Sequence, residues 1–200
     1  MFVFWLLALI VAITIHEFAH ALVADRLGDP TPRSQGRLTL NPLAHLDPIG
    51  SLMMLLTRFG WGKPVQFDPF NLANPRRDAA LISLAGPVSN LLLATLLSLV
   101  IRLAPYALGT HSALGLEVAL TPFIFLNVSL AIFNLIPIHP LDGGKIAVGF
   151  LPKDLAQEWD QVMSRYGTLI LILLIFPLFG ASPITHLLLP AIQAILKLLL

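Results

Sequence analysis

The sequence predicts an all-α polytopic membrane protein of about five transmembrane helices, with a short re-entrant or interfacial segment and a small β-hairpin or sheet near its functional centre. Three observations carry this. Of 200 residues, 56% are hydrophobic and only 12% charged, about half the charged share of an average soluble domain. Apolar runs of about 20 residues, enough to cross a bilayer, recur along the chain. Between two of them lie stretches with Pro, Gly and Asn punctuation and short apolar–polar alternation.

Composition also excludes much. There is no cysteine, so a disulfide framework and a thiolate metal site are ruled out, leaving His and carboxylate as ligands for any zinc. A net charge of +1, with no basic run longer than Arg76-Arg77, gives no sign of a nucleic-acid partner. No internal repeat or linker divides the chain, which reads as one domain over 1–200.

The first span, 1–23, holds His16-Glu17-Phe18-Ala19-His20. An acidic side chain at mid-span costs roughly 2.5–3.5 kcal/mol on insertion scales, so Glu17 calls for a functional reason. Residues i and i+4 share a helix face, so His16 and His20 converge on one point. The pattern H-E-x-x-H supplies two nitrogen ligands for zinc and a Glu able to act as general base on water. Ala19-His20-Ala21 has the small-x-small look of a signal-peptide cleavage site, but no Lys or Arg precedes Arg26, so the basic n-region is missing.

A polar stretch, 25–47, follows, with alternation toward the end of 33–41 that favours a strand or hairpin. Asn41-Pro42-Leu43-Ala44-His45 is rich in turn formers, and its Asn and His also read as ordinary loop residues. The apolar segment 49–57 is too short to cross and is expected to dip in. Trp61-Gly62-Lys63-Pro64-Val65-Gln66-Phe67 reads as a second extended segment with an interfacial aromatic anchor. Non-helical backbone at that depth must line protein or a water-filled cavity.

Full spans are expected at 78–106 and 114–136. The first is interrupted by Ala85-Gly86-Pro87, which reads as a kink with small residues for close packing. After Pro137, the stretch His139-Pro140-Leu141-Asp142-Gly143-Gly144 unwinds the backbone before a short helical run, 145–151. Asp142 is either the cap of that helix or the third protein ligand that a catalytic zinc needs; Asp47 and Asp68 are its alternatives. The last two spans are expected at 166–180 and 184–200. Lys and Arg cluster at Arg26, Arg33, Arg37, Arg58, Lys63, Arg76 and Arg77, and again at Lys145, Lys153 and Arg165. The positive-inside rule then predicts an outside N-terminus, five crossings, an inside C-terminus and a site toward the cytoplasm.

These motifs together resemble the site-2 proteases, the intramembrane zinc metalloproteases of peptidase family M50, in their short prokaryotic form. The matching residues are His16-Glu17-Phe18-Ala19-His20, Leu40-Asn41-Pro42-Leu43-Ala44-His45, Ala85-Gly86-Pro87, and Asn134-Leu135-Ile136-Pro137 running on to Leu141-Asp142-Gly143-Gly144. The resemblance implies Zn2+ held by His16, His20 and Asp142, with Glu17 as catalytic base. It also implies an Asn, Asn41 or Asn134, that steadies the tetrahedral intermediate. His45 and His139 are expected either to orient a ligand or to be plain loop residues. Neither the PDZ insertion nor the CBS module of larger members is expected. The implied substrate is a transmembrane protein within a prokaryotic cell membrane. Other readings of the same residues are a membrane metal transporter and a non-catalytic zinc-binding scaffold.

Overall fold

The first helix, α1, runs from Phe2 to Arg26. The structure, a computed structural model, describes residues 2–50, 61–176 and 182–200. A four-residue helix α2 (Thr31–Ser34) follows, then single 3-10 turns at Pro42–Ala44 and Pro69–Asn71. The remaining helices are α3 (Pro75–Leu108), α4 (Thr110–Asn134), α5 (Asp142–Phe150), α6 (Lys153–Ile175) and α7 (Pro183–Leu199). The expected dip at 49–57 and the end of the expected span at 166–180 lie largely outside the described residues.

Among the described residues, three helices are long and apolar enough to cross a membrane, α1, α3 and α4, while α7 is apolar but shorter, at 17 residues. Gly109, at φ +76, turns α3 into α4, a backbone region closed to most side chains. Pro87 lies inside α3 without ending it, as a helix supported by packed neighbours allows.

The packing is inverted relative to a water-soluble protein. On α1 the buried positions other than Ile13 are small or polar, namely Ala8, Ala12, Thr14, His16, His20, Ala21 and Ala24, while Phe2, Val3, Trp5 and Leu7 face outward. Small inward residues let helices approach closely, and bulky outward ones suit lipid. A core of Ala94, Ile124, Val128 and Ile192 joins α3, α4 and α7. A second cluster joins Ile136, Leu141, Leu171 and Ile184.

Two expectations are corrected. The hairpin between 33–41 and 61–67 does not form as strands: among the described residues there is only an isolated antiparallel bridge between Leu46 and Gly62. Pro42, Pro48 and Pro64 have no N–H to give a ladder, and the Arg37 guanidinium takes the carbonyls of Ala44 and Lys63. The C-terminal path also differs. Ile184, at the start of α7, packs with Ile136 and Leu141, whereas Ser98 and Arg102 of α3 donate to the Leu199 and Leu198 carbonyls. So α7 begins at the Asp142 end of the bundle and finishes beside the Gly109 half of α3. Hydropathy measures a helix's length and not its direction, which is why an inside C-terminus was expected.

The loop after α1 is locked by the buried Asp29. Its Oδ1 accepts from the Thr31 N–H (3.0 Å), the Thr31 hydroxyl (2.6 Å) and the Asn71 amide (2.8 Å), and its Oδ2 from the Asp68 N–H (2.8 Å). Burial pushes the Asp29 pKa up, but these hydrogen bonds outweigh it and hold the carboxyl below its ordinary value. A depressed folded-state pKa means stability that is fully present above the ordinary carboxylate value, about 3.9, and lost as pH falls from there through the lower folded-state value. Asp29→Ala is therefore expected to cost about 1–3 kcal/mol at neutral pH. Thermal melts in detergent should show wild type losing more stability than Asp29→Asn on acidification; equal losses would remove Asp29 from this role.

Candidate metal centre

Helical spacing brings His16 and His20 together as the sequence predicts, with ring centroids 4.6 Å apart and rings nearly perpendicular. Both are buried. Their protonation is dictated by their neighbours. The Asn90 amide donates to the Ala12 carbonyl (3.0 Å) and to Asn127 Oδ1 (2.7 Å), so its Oδ1 must be the acceptor toward His16 Nδ1, 2.6 Å away. His20 Nδ1 lies 2.7 Å from the Ile82 carbonyl, which only accepts. Each ring thus keeps a proton on Nδ1 and turns Nε2 inward, as a bare acceptor whenever the imidazole is neutral.

What those nitrogens face is Asp142 Oδ2, at 3.0 Å from His16 Nε2 and 3.3 Å from His20 Nε2. With both imidazoles neutral these are three acceptors turned toward one another, which repel unless a proton or a metal cation sits among them. All three ligand atoms lie within 4.8 Å of one another, and a tetrahedral zinc with bonds of about 2.1 Å sets its ligands about 3.4 Å apart. Space is kept for the ion by Gly86 of α3: a Cβ there would fall 2.5 Å from His20 Nε2 and 2.6 Å from His16 Nε2. The donor set and its cradle fit a zinc ion.

Glu17 lies beside this group, and its Oε2 accepts the Val65 N–H at 2.8 Å. A cavity of about 130 Å³ is lined by His16, Glu17, His20, Pro64, Val65, Phe67, Ile82, Ser83, Asn134, Pro140, Asp142 and Lys145. Segment 61–67 is held over it by the Lys63 N–H bond to the His45 carbonyl (2.8 Å) and by the buried Arg37 bridging Ala44 and Lys63. Burial pulls the Arg37 guanidinium below its ordinary pKa, and the Glu17 carboxylate opposes that pull.

The remaining sequence candidates fall in different places. Asn134 lines the cavity, its amide donating to the Leu130 carbonyl at 3.0 Å. Asn41 is exposed and does not line it; its Oδ1 accepts the Leu43 N–H, capping the Pro42–Ala44 turn. His45 is fully buried, but its Nε2–H donates to the Thr39 carbonyl, and His139 pairs with Asp160 at 3.0 Å. Neither ring bonds to His16, His20 or Asp142. Asp47 and Asp68, the alternative ligands, accept the Gly50 and Phe70 N–H groups. Sequence reasoning missed the roles of Asn90, Asn127, Gly86 and Arg37. Asn90 and Asn127 stand out as amides in apolar spans, but only the fold connects them to His16.

The family model described as Peptidase family M50 matches residues 100–174. The chain is 38% identical over 195 residues to the Bacillus subtilis protein named "Putative zinc metalloprotease YwhC", covering 96% of this chain and 89% of that one. It is 33% identical over 180 residues to Rip2 of Mycolicibacterium smegmatis, which bears the same designation, covering 86% of this chain and 64% of that protein. Rip2 of Mycobacterium tuberculosis is 37% identical over 140 residues, or 67% of this chain and 52% of its own length. No solved structure matches. The near full-length likeness to YwhC and the M50 match, reached after a H-E-x-x-H pair and a distant carboxylate had been found converging, establish that this chain belongs to peptidase family M50, the site-2 proteases, and is a zinc metalloprotease.

Proposed function

We propose that the protein is an intramembrane endopeptidase that hydrolyses peptide bonds in or near transmembrane segments of membrane-protein substrates, as one domain over 1–200, with zinc held by His16, His20 and Asp142. One observation carries the reading. The two imidazoles, with their Nδ1 protons committed, converge with Asp142 beside Glu17 in a bundle whose outward residues are bulky and apolar. Zinc bound there supplies Lewis acidity that acidifies water and polarises a peptide carbonyl.

The chain's own groups do the rest. Glu17 takes a proton from the attacking water and passes it to the nitrogen of the leaving amine, while the Val65 N–H steadies its Oε2. Asn134, on the cavity wall, helps to hold the carbonyl oxygen; Asn41 is left as a turn cap. A substrate helix hides its carbonyls in i to i−4 bonds and must unwind before attack. Segment 61–67 offers an extended edge beside the cavity along which the unwound stretch can lie.

The protein crosses a prokaryotic cell membrane several times. The packing of α7 favours four crossings, by α1, α3, α4 and α7, over the five first expected. Arg26, Arg33, Arg37, Lys63, Arg76, Arg77, Lys145, Lys153 and Arg165 belong to segments at the site end, against Arg102 and Lys197 at the other. That asymmetry orients the site toward the cytoplasm.

Glu17→Gln is expected to retain zinc while cleavage of a membrane-embedded reporter falls about 10²–10⁴-fold, and Asp142→Ala to lose the metal. Undiminished cleavage by the first variant would end the base assignment, and full zinc content in the second would end the ligand assignment. Gly86→Ala, which puts a methyl where the ion belongs, should purify folded but zinc-poor by metal analysis. Asn90→Ala frees the His16 ring, so chelator competition should report an affinity about 10–100-fold weaker; an unchanged affinity would mean that His16 is oriented without it.

A further inference from the structure

We propose that Lys145 is a further catalytic residue, whose ammonium binds the substrate oxygen that turns negative during hydrolysis and ends in the product carboxylate. This rests on the proteolytic reading above.

The argument begins with charge. Glu17 and Asp142 each bring one negative charge to the cavity, and a divalent ion balances both. Attack moves one negative charge from Glu17 to the substrate oxygen, and once Glu17 has passed the proton on and the amine has left, the product carboxylate stands one negative charge in excess, which needs a cation. Among the described residues, Lys145 is the only Lys or Arg lining the cavity. It lies three residues after Asp142 on α5, and therefore on the same helix face. Its Nζ rests 4.7 Å from the centroid of the Phe67 ring, at the end of segment 61–67. An ammonium drawn to a ring face by cation–π attraction is held in place yet keeps donors for an anion. Lys145 is otherwise exposed, which sets it at the cavity's open rim, where a peptide enters and a carboxylate leaves.

The chemistry balances without a proton from Lys145. The water oxygen joins the carbonyl carbon, the C–N bond breaks, and both water protons leave with the amine as an ammonium group. The acid product departs as a carboxylate, its charge paired with Lys145 until release.

The test uses the zinc-loaded full chain in detergent, with Lys145→Met, Lys145→Arg and Phe67→Leu beside wild type. The binding probe is a leucine-rich peptide ending in a free carboxylate, compared with the same peptide ending in a carboxamide. Wild type should prefer the carboxylate by about tenfold or more, as a charge-assisted hydrogen bond implies. Lys145→Met should lose that preference while keeping its zinc, Lys145→Arg should keep it, and Phe67→Leu, which removes the ring that holds the ammonium, should keep part of it. In cleavage of the reporter, Lys145→Met should lower kcat about 10²-fold with little change in KM. A preference retained in Lys145→Met overturns the proposal. So does equal loss in Phe67→Leu, because Lys145 would then act only as a latch on segment 61–67. A wild type that shows the carboxylate preference but cleaves nothing counts against the proteolytic reading and not against the anion site.

Discussion

Two imidazole nitrogens and one carboxylate oxygen face one another, neutral rings with Nδ1–H turned outward bring no hydrogen-bond donor between them, and much of the surrounding structure serves to fix that arrangement. Either ring alone could relieve the repulsion by moving its proton to Nε2. The Ile82 carbonyl prevents this for His20, and for His16 the chain through Asn90 and Asn127 does the same. An interhelical side-chain hydrogen bond inside a membrane averages only about 0.6 kcal/mol. Stability is therefore a weak reason for threading two fully buried amides through α3 and α4. Fixing a tautomer is a stronger one, because a wrong proton on Nε2 would cost a ligand outright.

The same demand explains the distribution of small side chains. For α3 to bring its backbone against both nitrogens, residue 86 can have no Cβ, and α1 must present Ala12, Ala21 and Ala24 toward its neighbours. Bulk is displaced outward, where lipid accepts it without penalty. What looks like an apolar surface left over from folding is the complement of an interior given to small and polar groups. Asp142 arrives from a different part of the chain, on a short helix whose start is anchored by Leu141 in the cluster with Ile136 and Ile184. The metal group thus depends on α1, α3 and the 134–142 turn keeping their register together.

Legibility in the sequence followed the range of the forces involved. His16, Glu17 and His20 were readable because their geometry is set within one helical turn. Asp142 was readable as the best placed of three carboxylates, set in the Leu141-Asp142-Gly143-Gly144 stretch where a span ends and a helix begins, whereas the fold uses Asp47 and Asp68 as turn caps. Asn90 looked like a packing residue, and no spacing rule ties it to a histidine 74 positions earlier. The expected hairpin failed because alternation signals a strand, while the prolines and Arg37 decide whether a ladder can form. The direction of the last helix was not legible because apolar length does not say at which end of the bundle a helix begins.

Arg37 shows how far the reaction depends on residues outside the membrane helices. It is 3% exposed, and among the described residues its guanidinium has only two hydrogen-bond partners, the Ala44 and Lys63 carbonyls, while its charge is felt by Glu17. A buried cation costs several kcal/mol unless it is compensated, so the arrangement persists because it does two things at once. It ties the 37–46 loop to segment 61–67, which puts the Val65 N–H on the Glu17 carboxylate. It also sets a positive charge within Coulombic reach of that carboxylate. A guanidinium that acts from a distance, with its own donors spent on backbone, supplies a field without itself bonding to the base.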